Sequence, residues 1–257
     1  MKRLLAAAAA CALTCAVTFL PLQPSPALAQ DKPLDKAAIE AIVKDYLLNN
    51  PEVVRDALVE LDRREKAEAE AATAKLVGDS SGILFNSTRQ VVLGNPKGDV
   101  TLVEFFDYNC GYCKRAMSDM ERLIEEDPNL RVVLKEFPVL GQGSIEAAQV
   151  AIAVNTVAPD KYGAFHSALM SNRGKADRAI ALEMAKDAGV PSKDIEAAIR
   201  SDEVLATLEE VYGLANQLGL SGTPAYVIGN EVIPGAVGYD TLKTAIASVR
   251  KCGQSSC

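Results

Sequence analysis

Two of the chain's six cysteines stand as Cys110-Gly111-Tyr112-Cys113. Two residues between the sulfurs put them one helical turn apart, where a pair can cycle between dithiol and disulfide. The species that attacks in such an exchange is a thiolate, and the free N–H groups and dipole of a helix N-terminus favour it. Cys110 is therefore expected as the exposed nucleophile. Cys113, one turn in, is expected to be buried and to close the ring or resolve a mixed disulfide. Lys114 and Arg115 add positive potential beside the pair. The same spacing also suits a structural disulfide, or half of a four-cysteine zinc site completed by Cys252 and Cys257.

Two further features fit exchange chemistry. Ser221-Gly222-Thr223-Pro224-Ala225 contains an X-Pro bond, which tolerates the cis form and can leave neighbouring backbone groups free for an extended peptide. Alone, it would read as an ordinary turn proline. Glu104 stands inside an apolar strand six residues before Cys110, where a carboxylate is costly without a partner or a task. It is expected to relay a proton to Cys113, with Lys135 as its ion partner; a glutamate on a strand edge facing water is the alternative.

The elements that must position these residues follow from hydrophobic patterning. Strands are expected at residues 90–93 and 100–106, then a helix at 111–126 and a strand at 130–137. Residues 144–219 read as almost wholly helical, with members at 145–157, 162–170, 178–188, 192–199 and 203–218. A hairpin, 225–228 with 231–233, turns on Gly229-Asn230, and a last helix covers 239–250. This order describes an α/β sheet with a helical insert. Upstream, Ile39, Ile42, Val43, Tyr46 and Leu47 share a helix face, Asn50-Pro51 starts a second helix with Asn50 as its N-cap, and Val54, Leu58 and Leu61 extend the stripe. Residues 62–75 are mostly Ala, Glu, Lys and Arg, a solvated helix. Gly78-Asp79-Ser80-Ser81-Gly82 and Asn86-Ser87 signal a linker.

The first 29 residues read as an address. Lys2 and Arg3 precede an alanine-rich apolar run, and Ala27-Leu28-Ala29 forms a cleavage pattern before Gln30, as in a secretory signal peptide. Cys11 and Cys15 would leave with it. The four remaining cysteines then lie in an oxidising compartment, where the local pairs Cys110–Cys113 and Cys252–Cys257 are the favoured linkages. Net charge is -7, from 27 basic and 34 acidic residues, which disfavours nucleic acid as a partner. A single histidine, His166, excludes a two-histidine metal site, and it reads as a satisfied helix residue. Met117, Met120, Met170 and Met184 read as helix packing rather than a copper-binding stripe. No metal and no cofactor is expected.

The segment from Val103 to Lys114 resembles the active-site segment of the DsbA family of exported thioredoxin-fold oxidoreductases, and Gly222-Thr223-Pro224 resembles that family's cis-proline loop. The long helical stretch between Cys113 and Pro224 fits the family's inserted helical domain. Residues 41–53 are similar to the N-terminal segment of the ScsC-like group. The resemblance implies a thioredoxin fold with an inserted helical domain, preceded by a helical arm. The divisions expected are a signal peptide at 1–29, an oligomerisation arm at 30–77, a linker at 78–88, and a redox domain at 89–257 with its insert at about 141–220.

The resemblance further implies catalysis by Cys110 and Cys113, with Glu104 assisting, and contacts to substrate from Gly111, Tyr112, Thr223 and Pro224. Cys252 and Cys257 are left to a structural disulfide. The implied activity is disulfide isomerisation or reduction in the periplasm on exported proteins with thiols or disulfides. A membrane redox partner would reset the pair, and the arms would gather the chain into a homo-oligomer, a trimer by analogy with the group. Gly-Tyr stands between the cysteines where the best-known oxidase has Pro-His, and Thr223 before the proline resembles the isomerase branches. The alternatives are a copper-handling protein that binds Cu(I) at the reduced dithiol, and a monomeric dithiol oxidase.

Overall fold

The run Val100–Phe106 forms the central strand of the sheet, because β-branched and aromatic residues with apolar side chains on both faces belong in a sheet covered on both sides. The structure, a computed structural model, describes residues 35–257; the segment read as a signal peptide lies outside the described residues. The described residues fall into two units, one ending at Asp56 and one running from Ala57 to Cys257.

The first unit holds α1 (Lys36–Asn49) and the opening of α2 (Pro51–Gly78). Asp35 caps α1, its carboxylate accepting from the Ala38 N–H at 2.7 Å. Asn50 does not cap the helix that follows it. Its backbone N–H and its side-chain amide both donate to Tyr46 O, at 2.9 and 2.8 Å, so it closes α1, and Pro51 opens α2. Ile39, Ile42, Val43 and Tyr46 are exposed in this single chain.

In the second unit the end of α2 is docked, with the Thr73 hydroxyl donating to Gln217 O at 3.1 Å and Val77 buried. The sheet has the order β1-β3-β2-β4-β5, with β1 at Val91–Gly94, β2 at Val100–Phe106, β3 at Leu130–Glu136, β4 at Ala225–Ile228 and β5 at Glu231–Pro234. β2 and β3 run parallel, joined through α4 (Gly111–Glu126); the other neighbours are antiparallel. The insert contributes α5 (Gln142–Val157), α6 (Tyr162–Ser171), α7 (Arg178–Asp187), α8 (Ser192–Ile199) and α9 (Asp202–Gln217), and α10 (Tyr239–Cys252) closes the domain. At the β4–β5 turn Gly229 has φ +57, with Val249 and Ser255 so close that a Cβ would collide.

Each face of the sheet has its own core. Val100, Leu102 and Phe106 of β2 and Leu134 of β3 pack with Cys113, Met120 and Leu123 of α4, with Leu242 and Ile246 of α10, and with the insert. Val103 and Phe105 of β2 pack on the other face with Leu84, Phe85, Val211 and Leu214. Leu84 and Phe85 lie in the stretch expected as a linker. There they form a short helix, α3 (Ile83–Asn86), whose carbonyls are held from the sheet: Lys135 Nζ donates to Ile83 O at 3.0 Å and Arg131 Nη1 to Phe85 O at 2.8 Å. The apolar trio Ile83-Leu84-Phe85 overrides the surrounding Gly and Ser, because burying two large side chains outweighs local loop preference.

Candidate redox site

β2 delivers the chain to Cys110 at the C-terminal edge of the sheet, and α4 begins there. Cys110 is the N-cap of α4, its sulfur accepting the Cys113 N–H at 3.3 Å. In its neutral form the thiol donates to Thr223 O at 3.2 Å. A hydrogen bond from the Cys113 thiol is the largest influence on Cys110 and holds it down to about 5, helped by the Thr223 side chain and the N–H groups of Cys113 and Tyr112, against the cost of burial. Cys113 moves the opposite way, well above the ordinary thiol range, because ionising it would forfeit the bond to Cys110 and because it is buried. One sulfur is therefore a thiolate and its neighbour a thiol at neutral pH. Cys110, expected to be exposed, is only 5% accessible, while Cys113 is fully enclosed.

The other predicted residues converge here. Thr223-Pro224 is a cis peptide, and Thr223 stands against Cys110. Tyr112 is 62% exposed, with the Arg115 guanidinium 4.3 Å from its ring centre, and Gly111 is exposed beside it. A cavity of about 340 Å³ flanks the proline loop, lined by Leu218, Leu220, Gly222, Thr223, Pro224 and Val232.

Glu104 is buried on the face of β2 that packs against α4, but its expected partner is wrong. In the parallel register Glu104 lies beside Leu134, while Lys135 lies beside Phe105, so the two charges project from opposite faces. Lys135 is bound instead to Ile83 O, with Glu210 at 3.9 Å. Glu104 faces Tyr226, its partner across β4, whose side chain hydrogen-bonds to it. Burial lifts Glu104 to about 8, and the negative charge of Cys110 adds to that rise. Cys252 and Cys257 are joined by a disulfide away from this site, and both are exposed.

Several contributors had no signal in the local sequence. Asp107 Oδ1 accepts from the Asn109 N–H at 2.7 Å, and Oδ2 accepts from Val139 and Leu140 at 2.9 and 3.0 Å, which fixes the turn into the motif. The Asn109 side chain clasps Ala176 in both directions, donating to its carbonyl at 2.8 Å and accepting its N–H at 2.7 Å. Lys114 Nζ donates to Asn172 O and Gly174 O at 2.5 and 3.2 Å. Beneath the motif Tyr162 and Tyr108 donate to Glu136 Oε1, at 2.6 and 3.3 Å, and Tyr108 shares a 3.0 Å hydrogen bond with His166 Nδ1. Burial pushes His166 down to about 3, so the ring is neutral and satisfied, as its helix position suggested. Among the described residues no three His, Cys, Asp or Glu side chains stand close enough together to hold a metal ion.

An N-cap thiolate over a buried thiol, faced by a cis-proline loop on a thioredoxin-type sheet with a helical insert, defines a class, and comparison with known proteins agrees. The family model for the DSBA-like thioredoxin domain matches residues 101–247, and the chain belongs to this family of thiol–disulfide oxidoreductases. Residues 35–68 match the model of the copper resistance protein ScsC N-terminal domain. Among solved structures, a thioredoxin-like oxidoreductase from Silicibacter pomeroyi is 42% identical, with 68% of this chain and 98% of that one covered and a TM-score of 0.64. Proteus mirabilis ScsC in a compact conformation is 30% identical over 85% of this chain and 99% of that one, with a TM-score of 0.65. A periplasmic thioredoxin-like protein from Salmonella enterica serovar Typhimurium is 32% identical over 65% and 92%, with a TM-score of 0.58. Curated relatives are matched over less of their length. The chain spans 27% of the Na(+)/H(+) antiporter NhaA 1 of Salinispora arenicola, at 26% identity over 67% of this chain. It spans 75% of the disulfide bond formation protein D of Bacillus subtilis, at 25% identity over 61%.

Proposed function

We propose that this protein is a periplasmic thiol:disulfide interchange protein that isomerises or reduces disulfides in exported proteins, working as a homo-oligomer, a trimer, through its N-terminal arm. The observation that carries the reading is the placement of the two sulfurs: Cys110 caps α4, accepting the Cys113 N–H and facing the cis Thr223-Pro224 loop, while Cys113 is fully enclosed one turn in, which favours a thiolate at Cys110 and a thiol at Cys113. In the exchange, the Cys110 thiolate bonds to one sulfur of a client disulfide and the other client sulfur leaves as a thiolate. Cys113 then either loses its proton, attacks Cys110 and releases the client reduced, or stays protonated while the freed client thiolate attacks another client disulfide and a client thiolate finally displaces Cys110. Gly111, Tyr112, Thr223 and Pro224 border the client's path, and Glu104 takes or returns the proton of Cys113. A membrane redox partner restores the dithiol.

Exposed Ile39, Ile42, Val43 and Tyr46 on α1 support the oligomer, since a helix with such a stripe is marginal in water and neighbouring arms would cover it. The family of the N-terminal segment, the cleavage pattern at Ala27-Leu28-Ala29 and the periplasmic Salmonella relative support the compartment. Sedimentation and refolding of a scrambled-disulfide substrate test the proposal, comparing the mature chain with one beginning at residue 69, which retains the docked Thr73 and Val77. A trimer that unscrambles, and a monomer that exchanges thiols but unscrambles poorly, are expected. A monomeric mature chain, or undiminished unscrambling by the short form, refutes the arm's role. A Cys113→Ser variant that accumulates no mixed disulfide refutes the exchange mechanism.

A further inference from the structure

We propose that the rim of the redox site selects clients with acidic residues flanking the attacked disulfide; the inference rests on the exchange reading above and names its substrate class. Its basis is a local reversal of charge. The chain as a whole carries a net charge of -7, yet the segments bordering Cys110 present Lys114, Arg115, Arg173 and Lys175. Two of these belong to α4, immediately after the dithiol. The others lie on the loop between α6 and α7, and side chains on either side of the dithiol hold that loop in place. Asn109 clasps Ala176, and Lys114 binds the carbonyls of Asn172 and Gly174, the residues on each side of Arg173. The loop is thus built into the wall of the site.

The carboxylates close to this rim are buried or half-buried, whereas Arg115, Arg173 and Lys175 are exposed to an approaching client. Asp107 is 2% exposed and its oxygens accept three backbone N–H groups. Asp177 caps α7 through the Ile180 N–H, and Glu146 accepts from the Gln142 amide. Asp119 lies two turns along α4. Among the described residues none of the four cations is within ion-pair distance of a carboxylate, whereas Arg89, Arg122, Lys243 and Arg250 elsewhere on the domain all are. Arg173 and Lys175 are exposed, and Arg115 lies over the exposed ring of Tyr112. Cationic groups around a thiolate would draw an acidic segment into the approach and repel a basic one. The apolar side chains exposed beside them, Tyr112, Val139 and Leu140, offer such a segment contact area.

Two peptides test the idea, each closed by one internal disulfide and identical except for Glu or Lys on both sides of each cysteine. The reduced full-length protein is mixed with each, quenched with acid, and the loss of dithiol timed. Each turnover passes two electrons from the Cys110–Cys113 dithiol to the peptide, leaving a protein disulfide and a peptide dithiol. The Glu peptide is expected to react roughly tenfold faster at low salt, with the ratio falling towards one near about 1 M salt, where charges are screened beyond about 3 Å. The double variant Arg173→Glu with Lys175→Glu is expected to bring the ratio to one or below. Equal rates at low salt, a ratio that salt does not move, or an unchanged ratio in the double variant overturns the rim's role and leaves the exchange reading standing. Reaction with neither peptide overturns the exchange reading, and this inference with it.

Discussion

Cys113 governs the acidity of Cys110, and replacing it measures how much. The Cys113 thiol is the largest contributor to holding Cys110 down to about 5, with Thr223 and the helix-start N–H groups adding to it. A hydrogen bond to a charged acceptor contributes roughly 1.5–3 kcal/mol. At about 1.4 kcal/mol per pH unit, losing it in Cys113→Ala should raise the Cys110 titration by about one to two units, from about 5 to between about 6 and 7. The remaining donors, Thr223 and the α4 N-terminus, keep it below an ordinary cysteine. Alkylation by iodoacetamide as a function of pH, followed by mass analysis of Cys110, gives the midpoint in each protein. At pH 5 the variant should react roughly five- to fiftyfold more slowly, because half of the wild-type sulfur but only about 1–10% of the variant's is thiolate there. Near pH 8 the two should nearly coincide. An unmoved midpoint in the variant would show that Cys113 is not the donor. A wild-type midpoint near about 8.5, that of a free cysteine, would refute the stabilised-thiolate reasoning altogether.

Two carboxylates give further expectations. Glu104→Gln is expected to slow resolution of a Cys110 mixed disulfide by roughly tenfold or more, while the amide keeps the contact with Tyr226 and the fold; single-turnover rates equal to wild type from about pH 5 to 9 would remove the proton-relay role. Burial lifts Glu136 to about 8, so the folded chain holds a proton that the unfolded chain releases once pH rises past its ordinary value of 4.5. Stability should therefore fall as pH climbs between those values, and Glu136→Gln, which still accepts from Tyr108 and Tyr162, should exceed wild type by on the order of 1–3 kcal/mol at pH 8 and by little at pH 5. Urea midpoints at both pH values check this, and a variant less stable than wild type at pH 8 would contradict it.

The order and type of elements were legible because each has a local cause. The Val- and Phe-rich run of β2, the period of the insert helices and Gly229-Asn230 at the hairpin all act within a few residues. Cys110, Cys113 and the Thr223-Pro224 loop were legible for the same reason: motif spacing and proline chemistry are local. What escaped depended on register and distance. Pairing Glu104 with Lys135 needed only a one-residue error in the alignment of β2 with β3, which moves a side chain to the other face. Tyr226 is the partner Glu104 has, and nothing near Glu104 announces a strand from the far side of the insert. The clasp of Asn109 and Lys114 on residues 172–176 is likewise long-range, and its donors look like ordinary polar residues until the loop is in place. The linker was misjudged for a different reason. Gly78 to Gly82 carry the loop signal, but Ile83-Leu84-Phe85, immediately after them, is an apolar run that composition alone averages away.

The two faces of the sheet divide the work, and that division constrains how an arm and a redox site can share one domain. The dithiol, Glu104 and Tyr226 belong to the face covered by α4 and α10. The end of α2 and α3 belong to the other, through Val77, Leu84, Phe85 and the carbonyls bound by Lys135 and Arg131. Strand alternation keeps the groups apart: Phe105 and Lys135 point to the docked segment while Glu104 and Leu134 point to the site. The Cys110–Cys113 pair lies on one face of the hydrogen-bonded sheet and the docked segment packs in the core of the other. Cutting the chain after residue 88 instead of before residue 69 would not isolate this domain cleanly, because it would strip Leu84, fully buried, and Phe85 from the second core, at a cost of roughly 2–5 kcal/mol for each side chain.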